Sequence, residues 1–158
     1  EDSPLRAEII AAAGERGVPV RFVQETAWFR PSRADTIAVF PPMLAGKNVN
    51  ELGLTVLASH KALDVLITGD MEEEGERRLT ETVPLPDIEV LVAGHHGSDT
   101  SNTPELLEAV RPELALISVG RNNKYGHPDW DTLVRLDNIG AEIYRTDLYG
   151  TVEVKLNE

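Results

Sequence analysis

The sequence predicts an α/β layer protein built on a mixed sheet, and two observations carry that reading. From Ile88 onward, short apolar runs alternate with helix-spaced segments, the rhythm of strands joined by crossover helices. Just upstream, two apolar runs are separated only by 59-SHKA-62, a polar turn that makes the pair an antiparallel hairpin. One domain is expected over residues 1–158, because that length with 41% hydrophobic residues can bury one ordinary core.

The elements follow in order. Pro4 to Arg16 has Leu5, Ile9, Ile10 and Ala13 at helical spacing, with Ser3 as its cap and Gly14 and Gly17 at its close. Pro19 to Val23 reads as a strand, Trp28 leads into a turn at Arg30-Pro31, and Asp35 to Phe40 is a second strand before Pro41-Pro42 breaks the chain. Residues 43–53 read as a loop. Leu52 to Ala58 and Leu63 to Thr68 form the hairpin and deliver Asp70, after which Met71 to Glu81 is a helix with acids at its positive end. The rest alternates: strand Ile88 to Ala93, helix Pro104 to Val110, strand Leu114 to Val119, helix Asp129 to Asn138, and closing strands Glu142 to Arg145 and Gly150 to Lys155. No repeat, low-complexity tract or linker interrupts them.

Composition excludes several classes. No segment approaches the roughly eighteen apolar residues of a membrane span, and the start Glu1-Asp2 is unlike a signal peptide, so a soluble domain is expected. Cysteine is absent, which rules out disulfides and thiolate metal sites. A formal charge of −12 argues against an extended basic surface for nucleic acid. It leaves room for a metal site facing phosphates, since bound divalent cations reverse the local field.

Polar residues gather where strands stop. Asp70 follows 66-LITG-69, His95 and His96 follow 90-VLVAG-94, and His127 follows a strand by way of 120-GRNNKYGHP-128. One carboxylate and three imidazoles at three strand ends outline a metal site. Each residue also has a plainer account: Asp70 as a helix cap, the histidine pair and His127 as loop residues, His60 as part of the hairpin turn. Gly69 and Gly94, each directly before a candidate ligand, permit the close backbone approach that a site requires.

The order TGD, then HHGS, then SVGRNNKYGHP, closing on 141-AEIYRTDLYGTVEV-154, resembles the C-terminal half of the metallo-β-lactamase-like domain of ComEC-type DNA-uptake (competence) proteins. The resemblance runs from about Asn50 to Val154. It implies an αββα sandwich, of which this chain is the C-terminal portion, with a metal centre at one edge. It assigns Asp70 to bridge two divalent metals, Zn or Mn, and His96 to bind the second, with His95 as neighbour or alternative. It puts His127 in the pocket, contacting phosphate or acting as general acid.

Ser98, Thr100 and Ser101 are expected near phosphate oxygens or metal ligands, with helix capping as the other role. Arg121, Asn122, Asn123 and Lys124 form a polar, basic loop suited to a phosphate backbone, or a solvated turn. The implied activity is metal-dependent phosphodiester hydrolysis of the non-transported DNA strand. The implied partners are DNA, as single strand or duplex end, the N-terminal half of the same domain, and a membrane channel domain in a bacterial membrane protein, with this domain on the extracytoplasmic side. The family's HxHxDH motif does not occur in these 158 residues, so weak or absent metal binding and no activity are expected of this piece alone. Two other functions fit the same residues: a soluble hydrolase of small phosphoesters, and a non-catalytic protein-binding module that has lost the N-terminal motif.

Overall fold

The structure is a computed structural model that describes residues 4–45 and 48–156. Its frame is a seven-stranded mixed sheet in the order β1-β2-β3-β4-β5-β6-β7. The strands are β1 (Ala27–Phe29), β2 (Asp35–Phe40), β3 (Thr55–His60), β4 (Leu63–Ile67), β5 (Val90–Val92), β6 (Leu114–Ile117) and β7 (Glu142–Arg145). The first four form an antiparallel meander, and β4 to β7 run parallel. The hairpin is tighter than its sequence suggests: His60 pairs with Leu63, leaving Lys61 and Ala62 as the turn, with Lys61 at φ 54°.

Parallel strands need crossovers, and three helices supply them: α2 (Glu73–Thr82), α3 (Pro104–Val110) and α4 (Trp130–Asn138). The second and third start on well-formed caps. Thr103 accepts from the Leu106 N–H ahead of Pro104, and Asp129 accepts from the Asp131 N–H. All three bury one face in a single cluster that joins Leu79, Leu106, Leu107, Val110 and Leu136 to the strand residues Leu66, Leu91, Ala115 and Ile117. In register terms that sheet face is the row Ala38–Leu57–Leu66–Leu91–Ala115–Ile143.

The opposite face is also apolar. Its neighbouring rows are Val39–Val56–Ile67–Val92–Leu116 and Ile37–Ala58–Val65–Val90–Leu114. Most of these side chains are half-buried and Ile67 is 38% exposed.

Two expected strands are absent. Pro19–Val23 is not a strand: Pro19 has no N–H to donate, and Val18, Val20 and Phe22 stay exposed. The sheet is edged by Ala27–Phe29 instead, with Trp28 opposite Ala38. Gly150–Lys155 is not a strand either, because after β7 the chain turns through the short helix α5 (Thr146–Tyr149) and leaves the sheet at Gly150, φ 72°. Its alternating Val152 and Val154 mimic a strand that has no neighbour to pair with. The helix α1 (Pro4–Glu15) forms as expected but buries none of its residues, and Ser3, its expected cap, lies outside the described residues.

Because β4 to β7 are parallel, their carboxyl ends meet at one edge of the sheet. The segments leaving that edge are 68–72, 93–103, 118–128 and 146–149. They carry nearly every polar residue singled out above.

Candidate functional site

The loop after β5 departs most from ordinary backbone geometry. His95 sits at φ 49°, ψ 42° and His96 at φ 56°, ψ 23°, followed by Gly97 at φ 83°. Left-handed geometry costs an L-residue roughly 1–2 kcal/mol, so two adjacent histidines held there must be fixed by their surroundings. The fixings are specific. The His95 N–H donates to the Gly69 carbonyl at 2.9 Å, tying the loop to the segment that carries Asp70. The Asn102 side chain clamps Gly94 from both sides, accepting from its N–H at 2.8 Å and donating to its carbonyl at 3.0 Å.

Behind Asn102 lies Glu76 of α2, fully buried. Its carboxylate accepts from the N–H groups of Asn102 at 2.7 Å and Thr103 at 2.8 Å. Burial pushes its pKa up to about 7, against the pull of those amides and the Arg135 charge. Glycine is required twice. A Cβ on Gly94 would stand 2.9 Å from Thr68 Oγ1, and one on Gly97 would stand 2.6 Å from Pro128 Cβ.

This scaffold aims His96. Its Nδ1 bonds the Ser118 carbonyl at 2.7 Å. A carbonyl only accepts, so in the neutral ring Nδ1 carries the proton and the lone pair lies on Nε2. That Nε2 faces Asp70 Oδ1 at 3.9 Å, with both side chains about half exposed. His95 turns the other way: its Nδ1 is buried without a hydrogen-bond partner, 4.0 Å from Glu72 Oε1. Glu72 is itself held by the amides of Asn48 and Asn50, each at 2.9 Å. The His95 ring centroid lies 5.7 Å from that of His127.

A cleft of about 430 Å³ opens beside His96, walled by Ser118, Asn123, Tyr125, His127 and Thr146. His96 and His127 therefore share one cavity. Asn123 is committed to its own loop: its oxygen accepts from the Tyr125 and His127 N–H groups, and its amide donates to the Gly120 and His127 carbonyls. Asn122 is exposed, as are Arg121, whose Nε donates to the Asp147 carbonyl, and Lys124.

The three hydroxyl residues divide. Thr100 is exposed, Ser98 is buried against Thr100, and Ser101 is fully buried with its hydroxyl donating to the Met71 carbonyl, which takes it away from any phosphate. His60 lies at the far edge of the sheet, bonded to Asp35 at 2.5 Å.

The donor set fits part of a divalent metal site. Ligand atoms on one tetrahedral cation lie roughly 3.3 Å apart, so the Asp70–His96 pair closes on a metal with a small side-chain rotation. Among the described residues no group of three or more His, Asp or Glu side chains comes within metal-holding reach. Sequence reading missed Glu72, Glu76, Asn102 and Tyr125. The acids sit in the run 72-EEEGERR-78, which reads as a solvated helix face, whereas Tyr125 was legible as an aromatic in an otherwise polar loop.

No family model matches the chain. It is 30% identical over 154 residues, 96% of its length, to ComE operon protein 3 of Bacillus subtilis, and covers 20% of that protein. It is 37% identical over 105 residues to Recombination protein 2 of Haemophilus influenzae, with 66% of this chain and 13% of that protein covered. Competence protein ComA of Neisseria gonorrhoeae is 39% identical over 115 residues, 70% of this chain and 16% of that protein. The chain thus spans a fifth or less of these relatives. In fold it matches a crystal structure from Parabacteroides distasonis described as "Putative metal-dependent hydrolase", with a TM-score of 0.55 and 13% identity over 87% of this chain and 61% of that one. Over most of its length the chain is homologous to these competence proteins, each of which it matches in one segment.

Proposed function

We propose that this chain is the C-terminal portion of a metallo-β-lactamase-like αββα domain in a DNA-uptake protein, and that the complete domain hydrolyses phosphodiester bonds of the non-transported DNA strand. The observation that carries the proposal is the Asp70–His96 pair, 3.9 Å apart at the edge where four parallel strands end, in a chain homologous to competence proteins. Asp70 would be shared between two divalent cations, Zn or Mn, and His96 would hold the second through Nε2. The other ligands come from the N-terminal half of the domain. The apolar second face of the sheet supports that assembly, because parallel strands are normally covered on both faces and a second sheet would supply the cover. The domain works on the extracytoplasmic side, next to the channel part of the same protein.

When bound, the cations would lower the pKa of a water and neutralise charge on the phosphoryl oxygens. The chain's own residues do the rest. The Ser118 carbonyl keeps the His96 Nδ1 proton in place and Nε2 free. His127, in the shared cleft, meets the phosphate or protonates the leaving oxygen. Arg121, Asn122, Lys124 and Thr100 are exposed and available to phosphate oxygens, while Ser98, Ser101 and Asn123 hold the loops that present them.

The test is Mn²⁺-dependent cleavage of a labelled oligonucleotide by the full-length protein carrying this chain. Asp70→Ala and His96→Ala should each lower the rate at least a hundredfold with the fold intact, His127→Ala should lower turnover more than metal content, and His60→Ala should change nothing. Unaltered cleavage by the Asp70 and His96 variants sinks the proposal. Preference for a small phosphodiester over DNA would replace its substrate.

A further inference from the structure

The loop that walls the cleft carries an aromatic side chain no hydrolytic step uses. Tyr125 is 72% exposed, a large apolar surface left open at the mouth of a polar site. Its ring is stacked on His127, with centroids 5.9 Å apart and planes 15° apart. The Lys124 ammonium lies over the same ring, 5.0 Å from its centroid. Asn123 Oδ1 accepts from the Tyr125 N–H at 3.2 Å and the His127 N–H at 3.0 Å, which ties the backbone of both residues to one side chain. A tyrosine needed only for packing would be buried. This one stands open to solvent on a backbone that Asn123 ties down.

We infer that Tyr125 is a stacking platform for one unpaired nucleobase beside the scissile phosphate, so that the site takes single-stranded DNA; the inference rests on the DNA-hydrolase reading above. A formal −12 leaves this chain with no surplus of cations for extended phosphate contacts. Stacking is short-ranged and indifferent to net charge, and every base offers a π-face. Lys124 occupies a ring face in the free protein, and its long flexible stem lets the ammonium move to the neighbouring phosphate when a base takes its place. A paired base cannot present its face in this way, so duplex DNA is excluded except at a frayed end.

Equilibrium binding tests this apart from catalysis. The full-length protein bearing Asp70→Ala, and the same protein also bearing Tyr125→Leu or Tyr125→Phe, are titrated against fluorescein-labelled single-stranded DNA, with intact oligonucleotides and oligonucleotides with abasic positions. Tyr125→Leu should weaken binding of intact single strands by about tenfold, the worth of one stacked base. Tyr125→Phe should stay within about twofold, and on abasic strands the Leu substitution should cost less than about twofold. An equal loss on intact and abasic strands, no loss on either, or tight binding of blunt duplex overturns the inference. Cleavage rates measured in parallel separate the two ideas. Undiminished cleavage by the Asp70→Ala protein removes the metal-site reading whatever the stacking result.

Discussion

Glu76 is a residue whose importance no local pattern reveals. It belongs to a run of acids on α2, yet it is fully buried and fastens the strand-end loop by accepting from two backbone N–H groups. Its pKa is raised from 4.5 to about 7, chiefly by burial, so between those values the folded chain keeps a proton that the unfolded chain has released. The stability tied to that proton is complete below pH 4.5 and is lost as pH rises through 7. Glu76→Gln removes the titration. Urea unfolding of the two proteins should show the gap between them moving in favour of the Gln variant by up to about 3 kcal/mol between pH 4.5 and 8. A gap that is constant with pH would mean that Glu76 does not titrate in this range. The contrast with Asp35 is instructive: the Ser32 hydroxyl and His60 hold its carboxyl below the usual range, but the pair is on the surface. Losing it by His60→Ala should leave stability nearly unchanged.

Strand ends and the loops that leave them decide the site. Gly97 is where two such loops touch, at a positive φ and against Pro128, while the Asp129 N–H donates to its carbonyl at 2.8 Å. Gly97→Ala should therefore destabilise the fold by about 1–3 kcal/mol and part His96 from His127, read as a lower melting temperature together with altered imidazole NMR shifts. A lower melting temperature with unchanged shifts would make Gly97 a packing residue alone.

At this level much was legible. Asp35–Phe40, Pro104–Val110 and Glu142–Arg145 form as the apolar spacing and the Thr103-Pro104 start predict, and Asp70 and His96 reach the same edge because β4 and β5 are parallel neighbours. What could not be read was pairing. Val20 and Phe22, or Val152 and Val154, alternate as strand residues do, yet among the described residues neither pair finds a partner strand. The left-handed geometry of His95 and His96 was hidden for the same reason, since Asn102, Gly69 and Ser118 impose it from a distance in sequence.

At the largest scale the described residues form a sheet with α2, α3 and α4 on one face and an apolar surface on the other, with Asp70 and His96 3.9 Å apart at one edge. Under the proposed function, a second half-domain would cover that face and complete the ligands. Ile67, 38% exposed here, should then be interior in the full-length protein. Ile67→Lys should cost this chain less than about 0.5 kcal/mol and the full-length protein several kcal/mol, compared by thermal unfolding of both. Equal and small effects would remove the case for a covering sheet. The most direct measurement is an anomalous-scattering map from crystals of the full-length protein grown with Zn²⁺. A metal peak is expected about 2 Å from both an Asp70 carboxylate oxygen and His96 Nε2, with a second peak on the other Asp70 oxygen. Peaks held only by residues outside this chain, with Asp70 and His96 unliganded, would contradict it.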